Sequence, residues 1–349
     1  MMNAGRRGAR VLLTLVLLTS CKKESATEPE IEAAPVPPRL HAEGRWLVDG
    51  NGTRTTLRGV NIPSLEWTAG GDNMLRSLEW TIDQWGANCA RIPLSQDRWF
   101  GHASEQSDDG AGYRALVDAL VDLASRKKSY IWLDLHWNNA GVWGQNIGQH
   151  KMPDQNSALF WAGLAERYKN HPAVLFGLYN EPHNVSWEIW KNGGTVTEDG
   201  PPRLEYEAAG HQELVDLIRA AGADNAVIAA GLDWGFDLSG ILKGYDLEGD
   251  NIVYDTHPYP WKSRDWDRYF GAVGELYPLF VGEWGGTLEE GHQQYGVDLA
   301  AYIRRKAFHW TAWCFHPSAG PQLIQNWDYD PTWFGQLVMR ELERPVELE

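Results

Sequence analysis

From residue 42 onward, short apolar runs alternate with longer stretches in which apolar residues return every three or four positions. Eight of the runs have the length and composition of buried strands: Leu57–Asn61, Asn88–Pro93, Tyr130–Leu135, Val174–Tyr179, Asn225–Ala230, Asn251–Thr256, Pro278–Gly282 and His309–Phe315. Between them, Asn73–Trp85, Gly112–Lys127, Ser157–Tyr168, His211–Ala221 and Gln294–Ala307 carry helical spacing, as in Leu116, Leu120, Leu123 and Ala124. Eight strand–helix alternations in one chain of this length predict a (β/α)8 TIM barrel. An open doubly wound sheet would carry a Gly-x-Gly-x-x-Gly turn after its first strand, and none is present. A short β-hairpin is expected ahead of the barrel, Arg45–Val48 pairing with Thr53–Thr56 across an Asp49-Gly50-Asn51-Gly52 turn.

The first forty residues do not fit this pattern. Arg6, Arg7 and Arg10 precede an apolar run, Val11 to Leu18, that is too short to span a bilayer. Leu18-Thr19-Ser20-Cys21 then resembles a bacterial lipobox, in which the cysteine is lipidated and becomes the first residue. Residues 22–41 are rich in proline, glutamate and lysine and poor in hydrophobes, the composition of an extended tether. The expected organisation is a lipoprotein signal peptide over 1–20, lipidated Cys21 with its tether over 21–41, and one folded domain over 42–349. The expected location is that of an exported bacterial lipoprotein, at the outer membrane, the cell surface or the periplasm, touching membrane only through its lipid.

Charge narrows the partners. The chain carries a formal −16, and loss of the three leader arginines takes it near −19. Nucleic acid is excluded as a partner, because no basic footprint exists. Cys89 and Cys314 are expected to stay unpaired: alternation puts Cys89 on the face of Arg91 and Cys314 opposite Trp313.

Candidate chemistry gathers where the strands end. Arg58-Gly59-Val60-Asn61, Arg91, Asp134-Leu135-His136-Trp137, Asn180-Glu181, His257-Pro258-Tyr259, Glu283-Trp284 and Trp313 all fall at or near carboxyl ends, the face on which barrel sites are built. A carboxylate at the end of a buried run is costly unless paired, solvated or used. Glu181 and Glu283, on the fourth and seventh runs, can converge on one bond, as glycoside hydrolysis requires. Glu181, before proline and near Tyr179, Trp187 and Trp190, stands in a setting that favours a protonated acid. Glu283 needs the ionised form, which Arg91 and a Tyr259 hydroxyl would hold. The 19 tryptophans are the second signal. Trp46, Trp80, Trp85, Trp161 and Trp310 read as core, whereas Trp67, Trp99, Trp284, Trp327 and Trp333 read as loop residues on the site face. Trp313, Trp137, Trp143, Trp190, Trp234 and Trp261 are the candidate sugar platforms, flat faces suited to pyranose C–H surfaces.

Taken in order with Gly86-Ala87-Asn88-Cys89-Ala90-Arg91-Ile92-Pro93, Leu178-Tyr179-Asn180-Glu181-Pro182 and Gly282-Glu283-Trp284, these motifs resemble glycoside hydrolase family 5, the cellulase and mannanase family of the retaining clan. The resemblance covers about residues 45–340. It implies Glu181 as acid/base and Glu283 as nucleophile, with Arg91, His136, Asn180, His257 and Tyr259 as supporting residues and Trp313 under the sugar. It further implies a polysaccharide or oligosaccharide substrate, with β-1,4-glucan first and β-mannan or exo-action on β-glucosides as alternatives. No metal or organic cofactor is expected, and a monomer is the default. Two rivals remain: a metal-dependent barrel hydrolase using His136, His257, Asp134 and the two glutamates, and a glycan-binding surface lipoprotein that does not cut.

Overall fold

The computed structural model describes residues 36–345 apart from 288 and 290. The leader, Cys21 and residues 22–35 lie outside the described residues; residues 36–41, expected to belong to the tether, instead pack on the barrel base and lead into the first strand. The domain is built on a closed parallel barrel. Its strands in chain order are β3 (Arg58–Asn61), β4 (Cys89–Ser95), β5 (Tyr130–Trp137), β6 (Val174–Gly177), β9 (Val227–Ala230), β10 (Ile252–Thr256), β11 (Leu279–Val281) and β12 (His309–Ala312). Each pairs with the next, and β12 pairs back onto β3. Helices α1 (Met74–Asp83), α3 (Ala111–Arg126), α4 (Gln155–Tyr168), α6 (His211–Ala220), α7 (His292–Lys306) and α8 (Trp333–Glu343) wrap the outside. Between β9 and β11 only single turns, Ile241–Lys243, Asp267–Gly271 and Val273–Glu275, stand in for full helices. Eight strands occur where eight were expected, no boundary moving by more than three residues. Among the described residues no helix is long and apolar enough to cross a membrane.

The barrel interior is filled, not hollow. Cys89, Trp132, Leu175, Ile228, Val253 and Phe280 form a floor beneath the polar mouth, closed below by Leu40, Leu47 and Leu57. Trp132 fits there because its neighbours lack side chains. A Cβ on Gly177 would lie 2.0 Å from the indole nitrogen, and one on Gly282 would lie 2.6 Å from the ring and 2.4 Å from the Asp255 carboxylate. Cys89 and Cys314 are both buried and free.

The leading hairpin differs from the expected one. Strand β1 (His41–Glu43) pairs with β2 (Trp46–Val48) around Gly44, one element earlier than the Asp49–Gly52 turn suggested. The Asp49–Gly52 turn forms as well: the Asp49 carboxylate accepts the Asn51 and Thr53 amides, and past it the Thr55 amide donates to the Leu47 carbonyl around a single Val48–Arg54 bridge. Burial explains the shift, since pairing β1 with β2 puts Leu40 and Leu47 under the floor. These residues also reach the strand starts: Tyr130 donates to the Pro38 carbonyl, and the Ala42 amide donates to Asn251.

A second antiparallel hairpin, β7 (Gly194–Glu198) with β8 (Leu204–Ala208), lies after β6 in a stretch that gave no sequence signal. Short helices α2 (Gln96–Phe100) and α5 (Trp187–Asn192) follow β4 and precede β7, respectively.

Candidate active site

Inward alternation on β4 and β5 carries Arg91, Asp134 and His136 up to the carboxyl mouth. Arg91 is fully buried and holds the site together. One terminal nitrogen donates to Asn61 Oδ1 (2.9 Å) and Glu283 Oε1 (2.7 Å). The other donates to Asn180 Oδ1 (2.6 Å) and lies 2.9 Å from Asp134 Oδ2. Its plane stacks over Trp132 at 4.8 Å. Burial alone would depress its charge, but Asp134, Glu283 and Asp255 outweigh that and push its pKa higher still.

Glu283 follows β11 by two residues. Besides Arg91 it receives the Tyr259 hydroxyl on Oε2 at 2.9 Å. Glu181 comes four residues after β6, with its side chain 18% exposed in the mouth against 6% for Glu283. The aromatic collar expected around Glu181 is absent: Tyr179 turns its hydroxyl to His150, and Trp190 is packed away beneath. Its partner is His257, whose Nδ1 lies 3.0 Å from Glu181 Oε1 and 3.8 Å from Glu283 Oε1. His257 Nε2 meets Asp255 Oδ2 at 2.9 Å. Burial opposes a charge on His257, yet Glu283, Asp255 and the bond to Glu181 push its pKa up to about 10. Below that pH it is an imidazolium donating to a carboxylate on each side. Burial raises Asp255 in turn, against the pull of His257 and Arg91.

The amide of Asn180 is fully oriented. Arg91 can only donate, so the atom it meets is Oδ1, and Nδ2 then faces His136 Nε2 at 3.2 Å. His136 therefore accepts at Nε2 and donates from Nδ1 to Asp134 Oδ2 at 2.9 Å. Trp313 lies beside it, parallel to the His136 ring at 5.5 Å, its indole N–H turned to the Gly320 carbonyl. The seven expected polar residues thus form one connected network: both glutamates, Arg91, His136, Asn180, His257 and Tyr259.

The tryptophans divide differently from expectation. Trp234 (40% exposed) and Trp261 (65% exposed) line an open cleft of about 450 Å³ with Glu181, Asp233, Tyr259 and Lys262. Trp261 stacks on Tyr259 within 2° of parallel, and Trp234 stacks on His183. Trp143 packs against Phe100 and His102, and Trp137 ends β5 half-buried. Trp190 is a correction. Its ring is fully buried, stacked on His211, with its N–H on the Ala230 carbonyl, so it offers no face to a ligand. Trp99 and Trp284 are core for the same reason.

Several residues of the network were given no expected role, and of these only Asn61 lies on a strand end that the sequence marks. Asp255 sits two positions before His257 on the same strand face, a period-2 signal that could have found it. Asn61 donates to the Gly282 carbonyl at 2.8 Å and accepts from Arg91. Glu66, beyond β3, is buried beside His136, and burial pushes its carboxyl up to about 7. Gln149 reaches the site from the loop after β5 and had no signal at all.

One oxygen of each glutamate and one nitrogen of His257 lie within 4.8 Å of one another, a spacing that by distance alone suits a cation. The donors do not. As an imidazolium with both nitrogens engaged, His257 has no lone pair to give a metal.

Comparison with known proteins places this geometry. The sequence matches the family described as Cellulase (glycosyl hydrolase family 5) over residues 48–319. An endoglucanase of Paenibacillus polymyxa is 27% identical, the match covering 86% of each chain. Endoglucanase E-5 of Thermobifida fusca is 24% identical over 77% of this chain and 54% of its own, so this chain spans about half of that relative. Among solved structures, a β-glucanase of Saccharophagus degradans in complex with cellotetraose shares the fold with a TM-score of 0.71 at 23% identity, over 88% of this chain and 94% of that one. The catalytic domain of the Thermobifida fusca endoglucanase Cel5A does so with a TM-score of 0.66 at 20% identity, over 88% and 97%.

Proposed function

The chain belongs to glycosyl hydrolase family 5, and from that membership we propose that it is a retaining endo-β-1,4-glucanase with Glu283 as nucleophile and Glu181 as acid/base. The observation that carries the reading is that one oxygen of Glu181 and one of Glu283 lie within 4.8 Å of each other, both facing His257 Nδ1. Inversion needs room for a water between them, at about 6.5–9.5 Å, whereas direct attack needs about 5–5.5 Å. Endoglucanase relatives support a β-glucan over other glycans.

In the first step Glu283 attacks the anomeric carbon, and Glu181 gives its proton to the leaving oxygen. Arg91 and Tyr259 aim the Glu283 lone pairs and take up its charge again when the ester is cleaved. In the second step Glu181 takes a proton from water, which attacks the glycosyl-enzyme and returns the β configuration. His257 holds the Glu181 carboxyl toward the bond in both steps. Asn180 is placed to meet the 2-hydroxyl, Trp313 lies beneath the sugar next to the nucleophile, and Trp234 and Trp261 carry the chain across the mouth. No step draws on a cofactor.

Barley β-glucan, carboxymethylcellulose and mannan, digested by the wild type, Glu181→Gln and Glu283→Gln, test the reading. Internal cleavage of glucans, β-anomeric products by proton NMR and loss of turnover in both variants are expected. Binding without cleavage by the wild type refutes it, as does a preference for mannan or release of single glucose units. We further propose that Cys21 is lipidated. Cys21→Ala then moves the protein from the membrane to the soluble fraction, and an unchanged distribution refutes the anchor.

A further inference from the structure

The oriented amide of Asn180 has two N–H groups. His136 takes one, and the Gln149 Oε1 takes the other at 2.9 Å. That fixes the Gln149 amide as well, so its nitrogen faces two carbonyls, Glu181 (3.1 Å) and His150 (3.0 Å). Gln149 therefore grips Asn180 by its side chain and Glu181 by its backbone. With both Asn180 hydrogens engaged inside the protein, the free position on that amide is the second lone pair of Oδ1.

Gln149 lies on a loop that would not hold a side chain by itself. Residues 138–154 join β5 to α4, and each end is fastened. At the base, Asp154 accepts the Asn139 and Gly141 amides and the Gln96 side chain, while Asp97 accepts Asn139 and Gly144. Beside Gln149, Asn138 and Gly148 exchange both backbone hydrogen bonds at 3.0 Å. At the far end the inserted β7–β8 hairpin takes over. The Glu198 carboxylate accepts from His150 Nδ1 (2.9 Å), the Lys151 amide (2.7 Å) and the Tyr206 hydroxyl (3.1 Å). Lys151 Nζ donates to the Thr197 carbonyl, and the Met152 amide donates to Tyr206. His150 also receives the Tyr179 hydroxyl on its carbonyl, tying the loop to the residue before Asn180.

We propose that Gln149 is a positioning residue for Asn180 and Glu181, and that the β7–β8 hairpin, through Glu198, holds it in register. The proposal rests on the glycosidase reading of the same site. Gln149 touches neither reacting atom; it acts by denying the Asn180 amide and the Glu181 main chain any other orientation. A displacement of about an ångström at a reacting group lowers turnover by up to about a hundredfold.

The test compares wild type, Gln149→Met, Gln149→Glu and Glu198→Gln on barley β-glucan, with kcat and KM separated and thermal unfolding measured for each. Gln149→Met keeps the length and loses all three bonds. It is expected to lower kcat between about tenfold and a hundredfold with KM within about threefold of wild type. Gln149→Glu restores an acceptor for Asn180 and is expected to recover part of kcat. Glu198→Gln weakens the clamp and is expected to lower kcat in the same direction by less. Gln149→Met with wild-type kcat, or a loss confined to KM, overturns the role, as does a kcat loss that Gln149→Glu does not relieve while its melting temperature equals wild type. A wild type that cleaves no β-glucan refutes the parent reading and this role together, whereas an active wild type with an unchanged Gln149→Met refutes this role alone.

Discussion

Replacing Arg91 with lysine keeps the charge and removes the geometry. The guanidinium serves four acceptors from two nitrogens, at 2.9 and 2.7 Å on one and 2.6 and 2.9 Å on the other, and stacks on Trp132. An ammonium offers three hydrogens from one point and cannot span Asn61 and Glu283 on one side and Asn180 and Asp134 on the other. At least two of the four acceptors lose their donor, in a place that water does not reach, since Arg91 is 0% exposed. Hydrogen bonds to charged groups contribute about 1.5–3 kcal/mol each, so two of them amount to about 3–6 kcal/mol. That loss divides between folding and turnover. Because Glu283 and Asn180 are both partners, about half is expected to fall on the transition state, lowering kcat/KM on β-glucan by roughly 10- to 100-fold. The remainder appears as a lower urea midpoint, with the slope unchanged. Wild-type kcat/KM together with a wild-type midpoint would refute the claim that the fork, rather than the charge, organises the site.

Trp190→Ala, at a fully buried indole, is expected to cost about 3–5 kcal/mol of stability while KM in the folded fraction is unchanged, whereas Trp261→Ala, at an exposed one, is expected to raise KM several-fold with no change in melting temperature; the reverse pattern would put Trp190 back in the binding cleft. Gly282→Ala would drive a methyl group into the Asp255 carboxylate and Trp132, so a cost of about 1–3 kcal/mol and a lowered kcat are expected, measured by melting and by β-glucan turnover. Burial holds the pKa of His309 down at about 3, well under its ordinary 6.5, while its Nδ1 accepts the Leu57 amide. The unfolded chain takes up a proton below about pH 6.5 that folded His309 refuses until about pH 3, so stability falls as pH drops through that window, by up to about 1.4 kcal/mol per unit. His309→Asn keeps an acceptor and is expected to flatten that part of the stability profile in urea titrations.

The barrel was readable because its strands are buried on both faces. Sequences such as Val174–Gly177 and Ile252–Thr256 are apolar or small almost without interruption, and helical spacing separates them. The strand ends were less so. Leu178 and Tyr179 continue the apolar run past the end of β6, the Leu178 and Asn180 amides still bonding to the Ile228 and Leu135 carbonyls, and the chain then carries Asn180 and Glu181 into the mouth. The paired glutamates and their polar neighbours could be found because carboxylates, a guanidinium and imidazoles are conspicuous at the ends of apolar runs. Trp190 could not be placed, since an indole looks the same whether its partner is a sugar or His211, twenty-one positions away. The β7–β8 hairpin does alternate, with Val196 and Tyr206 inward and Thr195 and Glu207 outward, but flanking Gly193-Gly194 and Pro201-Pro202 read as loop. Gln149 has no telling type or spacing. Its role comes from a loop whose path is set by residues on α2, β7, β8 and the chain after β6.

The strap of residues 38–48 under the barrel also fixes the side on which the chain enters the domain. Pro38, Leu40, Ala42 and Leu47 sit against the beginnings of the strands, and both glutamates stand past their ends. Whatever precedes residue 36 therefore joins the domain at its back. If Cys21 carries a lipid, as proposed, the tether leaves the domain on the side opposite the mouth, so anchor and substrate do not share one face. An anchor spliced instead to the loops at the strand ends, with the same length of chain, would set the membrane in competition with the substrate for one face.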